Sequence, residues 1–280
     1  MANYTVADIQ ALRERTGAGM LDVKKALDEA EGDVDKAVDV LRVKGLKGVS
    51  KREGRSASEG LVITHIAAGG AGQVGTLIEI NSETDFVAKS GKFVTLAEAI
   101  LKAVVDAGAA DVDGALAAPV ADGKTVKEFI DENAGVLGEK IVLRRMARVE
   151  APVVVDYLHK TNKDLPAQVG VLVGSDDKAG EVARDIAMHI AAYSPLYLSR
   201  DEVPADVVDN ERRVAEETSR NEGKPEAALP KIIEGRMNGF FKENVLPEQA
   251  FAKDPKTTVG KVVAATGGEV VAFARFRVGA

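Results

Sequence analysis

The sequence predicts an α+β protein built from a small helical bundle, two antiparallel-sheet subdomains and an inserted helical hairpin. Three observations predict it. Residues 1–45 carry three short amphipathic segments separated by glycine breaks. Beyond residue 60 the order strand, strand, helix, strand occurs twice. Two helical stretches about the Gly223-Lys224-Pro225 turn then interrupt the second occurrence.

In the bundle, Thr5 is placed to cap the first helix, with Asp8 at the position of a capping-box acid and Ile9 and Leu12 on one face. Thr16-Gly17-Ala18-Gly19 breaks it. A second helix runs through Leu21, Val23, Lys24 and Leu27. Gly32-Asp33 ends that helix and caps a third, with Val34, Ala37, Val38 and Leu41 inward. The charged stretch Lys44 to Glu59 reads as a linker (residues 46–59) or a mobile helix.

The first subdomain, residues 60–150, holds strand Gly60 to Ala67, strand Gln73 to Ile80, helix Lys92 to Val105 and strand Lys140 to Glu150. The second, residues 151–198 and 246–280, holds strand Pro152 to His159, strand Gln168 to Gly174, helix Lys178 to Ala192 and strand Val270 to Val278. Gln73-Val74-Gly75 and Gln168-Val169-Gly170 sit at matching places, and Ala147-Arg148-Val149 and Ala274-Arg275-Phe276 end matching strands. The two units read as a duplication. The insertion, residues 199–245, pairs Val207, Val208, Arg212, Val214 and Ala215 with Leu229, Ile232, Ile233, Met237 and Phe240. A short helix begins at Thr257-Thr258 and runs to Ala265.

Composition bounds the function. Apolar residues make up 45% and aromatics 4%, with no Trp, so the cores are aliphatic. There is no Cys, which removes disulfides and thiolate metal sites. With 44 acidic against 37 basic residues the net charge is −7, contrary to the basic footprint of a general nucleic-acid binder. No apolar run approaches the roughly 20 residues that span a bilayer. The N-terminus lacks the charged and apolar regions of a signal peptide. These features predict a soluble cytoplasmic protein with no direct membrane or nucleic-acid contact.

Enzyme motifs are weak. Gly70-Ala71-Gly72-Gln73-Val74-Gly75 satisfies a dinucleotide pattern, but a strand comes next and not the helix whose N-terminus would hold the pyrophosphate. Its glycines predict a hairpin turn. Asp122-Gly123-Lys124-Thr125 resembles the end of a phosphate loop but has Ala118 where the upstream glycine belongs. His65, His159 and His189 show no metal-ligand spacing. His189, on an apolar helix, is expected in the core. No enzyme activity, cofactor or metal is predicted.

The most informative stretch is Glu83-Thr84-Asp85-Phe86-Val87-Ala88. It lies between a buried strand and a helix, so Asp85 and Phe86 ride on a strand-to-helix loop. Read from the residues alone, Asp85 can be the N-cap of the next segment and Phe86 a core residue. An exposed Phe there would instead be a docking wedge. Met20 and Leu21 are similarly open between bundle core and a protruding apolar patch.

The chain resembles the bacterial elongation factor Ts family. The resemblance rests on Leu12 to Leu27 (Leu-Arg-Glu-Arg-Thr-Gly-Ala-Gly-Met-Leu-Asp-Val-Lys-Lys-Ala-Leu), and on Glu79-Ile80-Asn81 running into Thr84-Asp85-Phe86-Val87-Ala88. His189 within Ile186 to Ala192, and Glu234-Gly235-Arg236-Met237, complete it in the family's order. It implies a ubiquitin-associated-like bundle and a hairpin that acts as a dimerisation or coiled-coil module. It implies a guanine-nucleotide exchange factor that binds elongation factor Tu, GDP-bound and nucleotide-free. Thr84, Asp85, Phe86 and Val87 would enter the partner's nucleotide domain and dislocate its Mg²⁺. Arg13, Met20 and Leu21 would dock on a helix of that domain. His159 would face another partner domain, although the loop Lys160 to Pro166 is longer than the family pattern, and Met237 is carried over as a docking residue. The chain also stops at Gly279-Ala280, where some members continue with a helical module.

Two other readings compete. A passive scaffold would use the bundle and hairpin to bind other chains, but gains nothing from an acid-aromatic tip. A small-molecule enzyme would use the cleft between subdomains, but has no Ser, His and Asp constellation.

Overall fold

The computed structural model describes residues 4–16, 18–52, 54–70 and 72–280. Gly17 and Ala71, within two predicted glycine turns, lie outside the described residues, as does Glu53 in the predicted linker. The fold is mixed helix and antiparallel sheet. The bundle contains α1 (Val6–Thr16), α2 (Met20–Glu29) and α3 (Val34–Arg52). The Thr5 amide donates to Asp8 Oδ2 at 2.7 Å and the Asp8 amide to Thr5 Oγ1 at 3.3 Å, so the predicted capping box forms. Asp33 accepts from the amides of Asp35 and Lys36 and starts α3. Leu12, Val23, Ala26, Leu27 and Ala37 form the bundle's own core.

The third helix does not end near residue 45. It continues to Arg52, so much of the predicted linker is helical. The extension has its cause in packing: α3 crosses α7 (Val126–Leu137) where Gly45 meets Gly135, and a Cβ on Gly135 would lie 2.8 Å from the Gly45 Cα. The Arg52 guanidinium then donates to the Ala134 carbonyl at 3.2 Å.

The first sheet has the order β1 (Glu59–Gly69), β2 (Gly72–Ser82) and β3 (Val142–Ala151). Between β2 and β3 lie α4 (Asp85–Ala88), α5 (Gly91–Asp106), α6 (Val112–Ala117) and α7. Of these, only α5 is predicted from the sequence. The second sheet has the order β4 (Val153–His159), β5 (Val169–Ser175) and β8 (Val270–Arg277). After β5 come α8 (Gly180–Tyr193), the hairpin helices α9 (Ala205–Asn221) and α10 (Leu229–Asn244), a small ladder β6 (Ala250–Phe251) and β7 (Asp254–Thr258), and α11 (Val259–Thr266). Thr258 caps α11 by accepting from the Lys261 amide at 3.4 Å.

The central strands β2 and β5 are covered on both faces, which explains their largely apolar runs. Leu61, Ile78, Ile80 and Leu143 pack against Phe93, Leu96, Ile100 and Ile130 on the helix side of the first sheet. Val171 and Val173 pack against Ile186, Ile190, Leu246 and Phe251 on the helix side of the second. The alternate residues, Val62, Leu77, Val149, Val154 and Leu172, bring the two sheets face to face. The result is four layers: helices, sheet, sheet, helices.

The two sheets also share one register. Gly75 pairs with Val149 and Leu77 with Ala147; Gly170 pairs with Phe276 and Leu172 with Ala274. On the other side, Leu77 pairs with Thr64 and Leu172 with Asp156. Thr64 and Asp156 therefore occupy equivalent places, and Thr64 Oγ1 donates to Asp156 Oδ2 at 2.5 Å across the sheets. The matching triplets do matching work. Gln73 accepts from the Val154 amide at 2.8 Å, and Gln168 donates to the Gly60 carbonyl at 2.8 Å. A Cβ on Gly75 would lie 2.7 Å from Val154 Cγ1, and one on Gly170 2.8 Å from Leu77 Cδ1. Both glycines let the sheets approach.

The hairpin seam keeps most of the predicted residues and differs at three positions. Ala215, Ser219, Leu229 and Met237 are buried, whereas Arg212 and Val214 are exposed. The spacing of four between 215 and 219 sets the inward face. Ser219 enters it because its hydroxyl donates to the Ala215 carbonyl at 2.6 Å. At the hairpin's base Arg200 binds the Glu248 carboxylate and lies 4.3 Å over the Phe241 ring.

Candidate functional site

The site is built outward from the end of β2. Glu79, Asn81 and Ser82 are buried there. Glu79 is fully buried and receives Arg145 through two nitrogens, at 2.7 and 2.6 Å. The Asn81 amide donates to Glu79 Oε1 at 3.1 Å and to the Glu59 carbonyl at 3.0 Å. The Gly279 amide donates to the same Glu79 oxygen at 3.1 Å. A charged residue in the central strand is thus satisfied by four donors.

Beyond Ser82 the chain leaves the sheet and makes the single turn α4, so the predicted loop is partly helical. Thr84, and not Asp85, is its N-cap: Thr84 Oγ1 accepts from the Val87 amide at 3.4 Å. Ser90 caps α5 at once, accepting from the Phe93 amide at 3.3 Å. Ala88 is buried and Val87 packs on the first core. Phe86 points the other way and is 72% exposed. Lys89 lies 4.5 Å over its ring and 3.5 Å from Asp85. The core reading of Phe86 is therefore excluded by its position.

Glutamates hold this turn from behind. Glu139 Oε2 accepts from the Glu83 amide at 3.1 Å and the Thr84 amide at 3.0 Å, and Oε1 accepts from Thr84 Oγ1 at 2.5 Å. In return Glu83 accepts from the Lys140 amide at 2.6 Å and from Arg55. Sequence reasoning misses Glu139 as a partner of this turn. Gly138, in the left-handed region at φ 77, ends α7 and is the one readable signal that Glu139 starts a loop.

The other predicted residues lie on separate elements. Arg13 is exposed on α1. Met20 and Leu21 are 58% and 73% exposed at the start of α2, whose inward face is Val23, Ala26 and Leu27. His159 is exposed at the end of β4, 3.1 Å from the Tyr157 hydroxyl. Met237 is a correction: at 4% exposure its side chain fills the hairpin seam and offers no docking surface.

His189 is a core residue, as expected. Its Nδ1 accepts from the Ala252 amide at 3.1 Å, which leaves Nε2 to donate to Gln249 Oε1 at 2.8 Å. Burial lowers its pKa, and the Gln249 contact opposes this in part. The unfolded chain takes up a proton as pH falls through about 6.5, where the folded chain does not. The stability from neutral His189 is thus full above that pH and is lost as acidity approaches the lower, folded value. We expect urea-unfolding stability to fall between pH 7 and 5.5, with a His189 share of up to about 1.4 kcal/mol per pH unit. His189→Gln should flatten that slope; an unchanged slope refutes the assignment.

Among the described residues no group of three His, Asp or Glu could hold a metal ion, and no helix is long and apolar enough to cross a membrane. The family described as "Elongation factor TS" matches residues 83–280, a segment that begins at the residue leading into the exposed turn. The class is therefore an elongation factor of protein biosynthesis. Proteins named elongation factor Ts from Beutenbergia cavernae, Micrococcus luteus and Kineococcus radiotolerans are 64%, 61% and 54% identical, each comparison covering 100% of both chains. The chain belongs to the elongation factor Ts family.

Proposed function

We propose that this protein is a cytoplasmic guanine-nucleotide exchange factor for elongation factor Tu, working by docking and not by bond chemistry. It binds the GDP-bound partner, promotes GDP release and so allows GTP to load. The observation that carries this reading is Phe86: a large apolar side chain held 72% exposed on a clamped turn, beside the carboxylate of Asp85.

The mechanism is linkage. A factor that prefers the nucleotide-free partner must weaken nucleotide binding by the same factor. A 10⁴-fold shift needs about 5.5 kcal/mol of differential contact, more than one loop supplies. Thr84 to Val87 act as a wedge that displaces the elements holding the partner's Mg²⁺, with Asp85 adding a competing negative charge near the phosphates. Arg13, Met20 and Leu21 dock the bundle on the nucleotide domain, and His159 faces a second partner domain. These contacts hold the wedge at high effective concentration.

The architecture is read accordingly: a ubiquitin-associated-like bundle whose third helix runs to Arg52, a short connection to β1, duplicated subdomains at 60–150 and 151–198 with 246–280, and a hairpin at 199–245 that serves dimerisation. The common strand register and the Thr64–Asp156 bond support the duplication.

Release of a fluorescent GDP from purified elongation factor Tu, with and without this protein, tests the function. Equal rates would end the proposal. Deleting residues 1–45 should weaken affinity for the partner about tenfold or more, since one of two tethered contacts is lost. A titration showing undiminished affinity removes the bundle from the interface.

A further inference from the structure

We propose that Glu139 is the positioning residue of the docking turn, resting on the reading that Phe86 drives exchange. The sheet cannot hold this turn. Pairing of β1 with β2 ends at Glu59 and Ser82, and pairing of β2 with β3 ends at Asn81 and Val142. The amides of Glu83 and Thr84 therefore lie past the last ladder partner and need another acceptor. Glu139 Oε2 is that acceptor for both, at 3.1 and 3.0 Å. Bonds to an ionised acceptor are about twice as strong as neutral ones.

Nor can α4 hold itself. A lone helical turn carries the full cost of nucleation with no propagation to offset it. The clamp reaches into this turn through one hydroxyl. Thr84 Oγ1 donates to Glu139 Oε1 at 2.5 Å and accepts from the Val87 amide at 3.4 Å. The carboxylate thus orients the hydroxyl so that its lone pair faces the turn. Asp85 and Phe86 lie between these two fixed points, and the aim of the Phe86 ring is set by them. The reciprocal bond, from the Lys140 amide to Glu83 Oε1 at 2.6 Å, fixes the strand end to the same loop. Val87 and Ala88 anchor the turn's inner side through the core. That packing sets its depth, and Glu139 sets its direction.

The experiment uses the full-length protein with Glu139→Ala, which removes the acceptor, and Glu139→Gln, whose carbonyl oxygen can still accept from both amides while its NH2 group donates to the Thr84 hydroxyl. Amide hydrogen exchange at Glu83, Thr84 and Val87 should accelerate about tenfold or more in Glu139→Ala and less in Glu139→Gln, where a neutral acceptor remains, while Ile78 keeps its protection in both. The maximal rate of stimulated GDP release should fall about tenfold, with the half-saturating concentration changed less than about threefold, the signature of a contact realised only in the transition state. Phe86→Ala is run alongside. Unchanged protection at Glu83 and Thr84 would overturn the clamp. Freed amides with a normal maximal rate, while Phe86→Ala is slow, would overturn the positioning role. An inert Phe86→Ala would remove the functional reading beneath it, and the amide data would show that the clamp itself had not failed.

Discussion

Arg145→Met will lower folding stability by about 3–5 kcal/mol, the usual effect of breaking a buried ion pair by removing one partner. Glu79 is fully buried, and both charge-bearing donors to it come from Arg145. Without them the carboxylate keeps only the Asn81 side chain and the Gly279 amide. Arg145 also donates to the Arg277 carbonyl at 2.8 Å and lies 4.6 Å over the Phe276 ring. Its loss therefore loosens the join between the two sheets as well as the charge pair. Urea titration at neutral pH measures the effect. The double variant Glu79→Leu with Arg145→Met should recover most of the loss, because an apolar pair carries no desolvation cost. If the double variant is no more stable than Arg145→Met, the damage comes from packing and not from a stranded charge.

Phe86→Ala should leave folding intact and disable exchange. An exposed side chain contributes little to the core, so stability should change by less than about 0.5 kcal/mol. A central aromatic of a docking surface costs about 2 kcal/mol or more on truncation, which is about a 30-fold loss in stimulated GDP release. The same variant tests the interplay with Lys89, whose ammonium covers the ring in the free protein. Thermal melting and fluorescent-GDP release, measured on one preparation, separate the two effects. Release at the wild-type rate would reject the wedge.

Much of the order of elements is legible because its causes are local. Thr5 with Asp8, Asp33, and Thr258 each cap a helix that the sequence announces. The strands can be read from their β-branched runs. The helix α7 goes unpredicted although Thr125 and Glu128 form a capping box, both halves of which are present in the sequence. The helix α6 spans only 6 residues, too short to show a period. The exposed turn at Thr84 to Val87 is found as a stretch, but whether Phe86 faces in or out stays open at that level. That depends on Val87 and Ala88 filling the core, a fact of packing. Met20 and Leu21 pose the same ambiguity, and the answer lies in which face of α2 meets the bundle.

By itself the sequence determined the six strands of the two main sheets, the helices α1 to α3, α5 and α8 to α11 in their order, the two matching Gln-Val-Gly triplets and the acid-aromatic stretch. Each is written in neighbouring residues through periodicity, caps and turns. Only the tertiary structure decided that the triplets meet across stacked sheets, that Thr64 bonds Asp156 over a separation of 92 residues, and that Glu139 holds Thr84 over a separation of 55. Such bonds need donor and acceptor brought within about 3 Å by the rest of the fold. No local pattern records that distance, because chain separation places no bound on which distant groups the cores bring together.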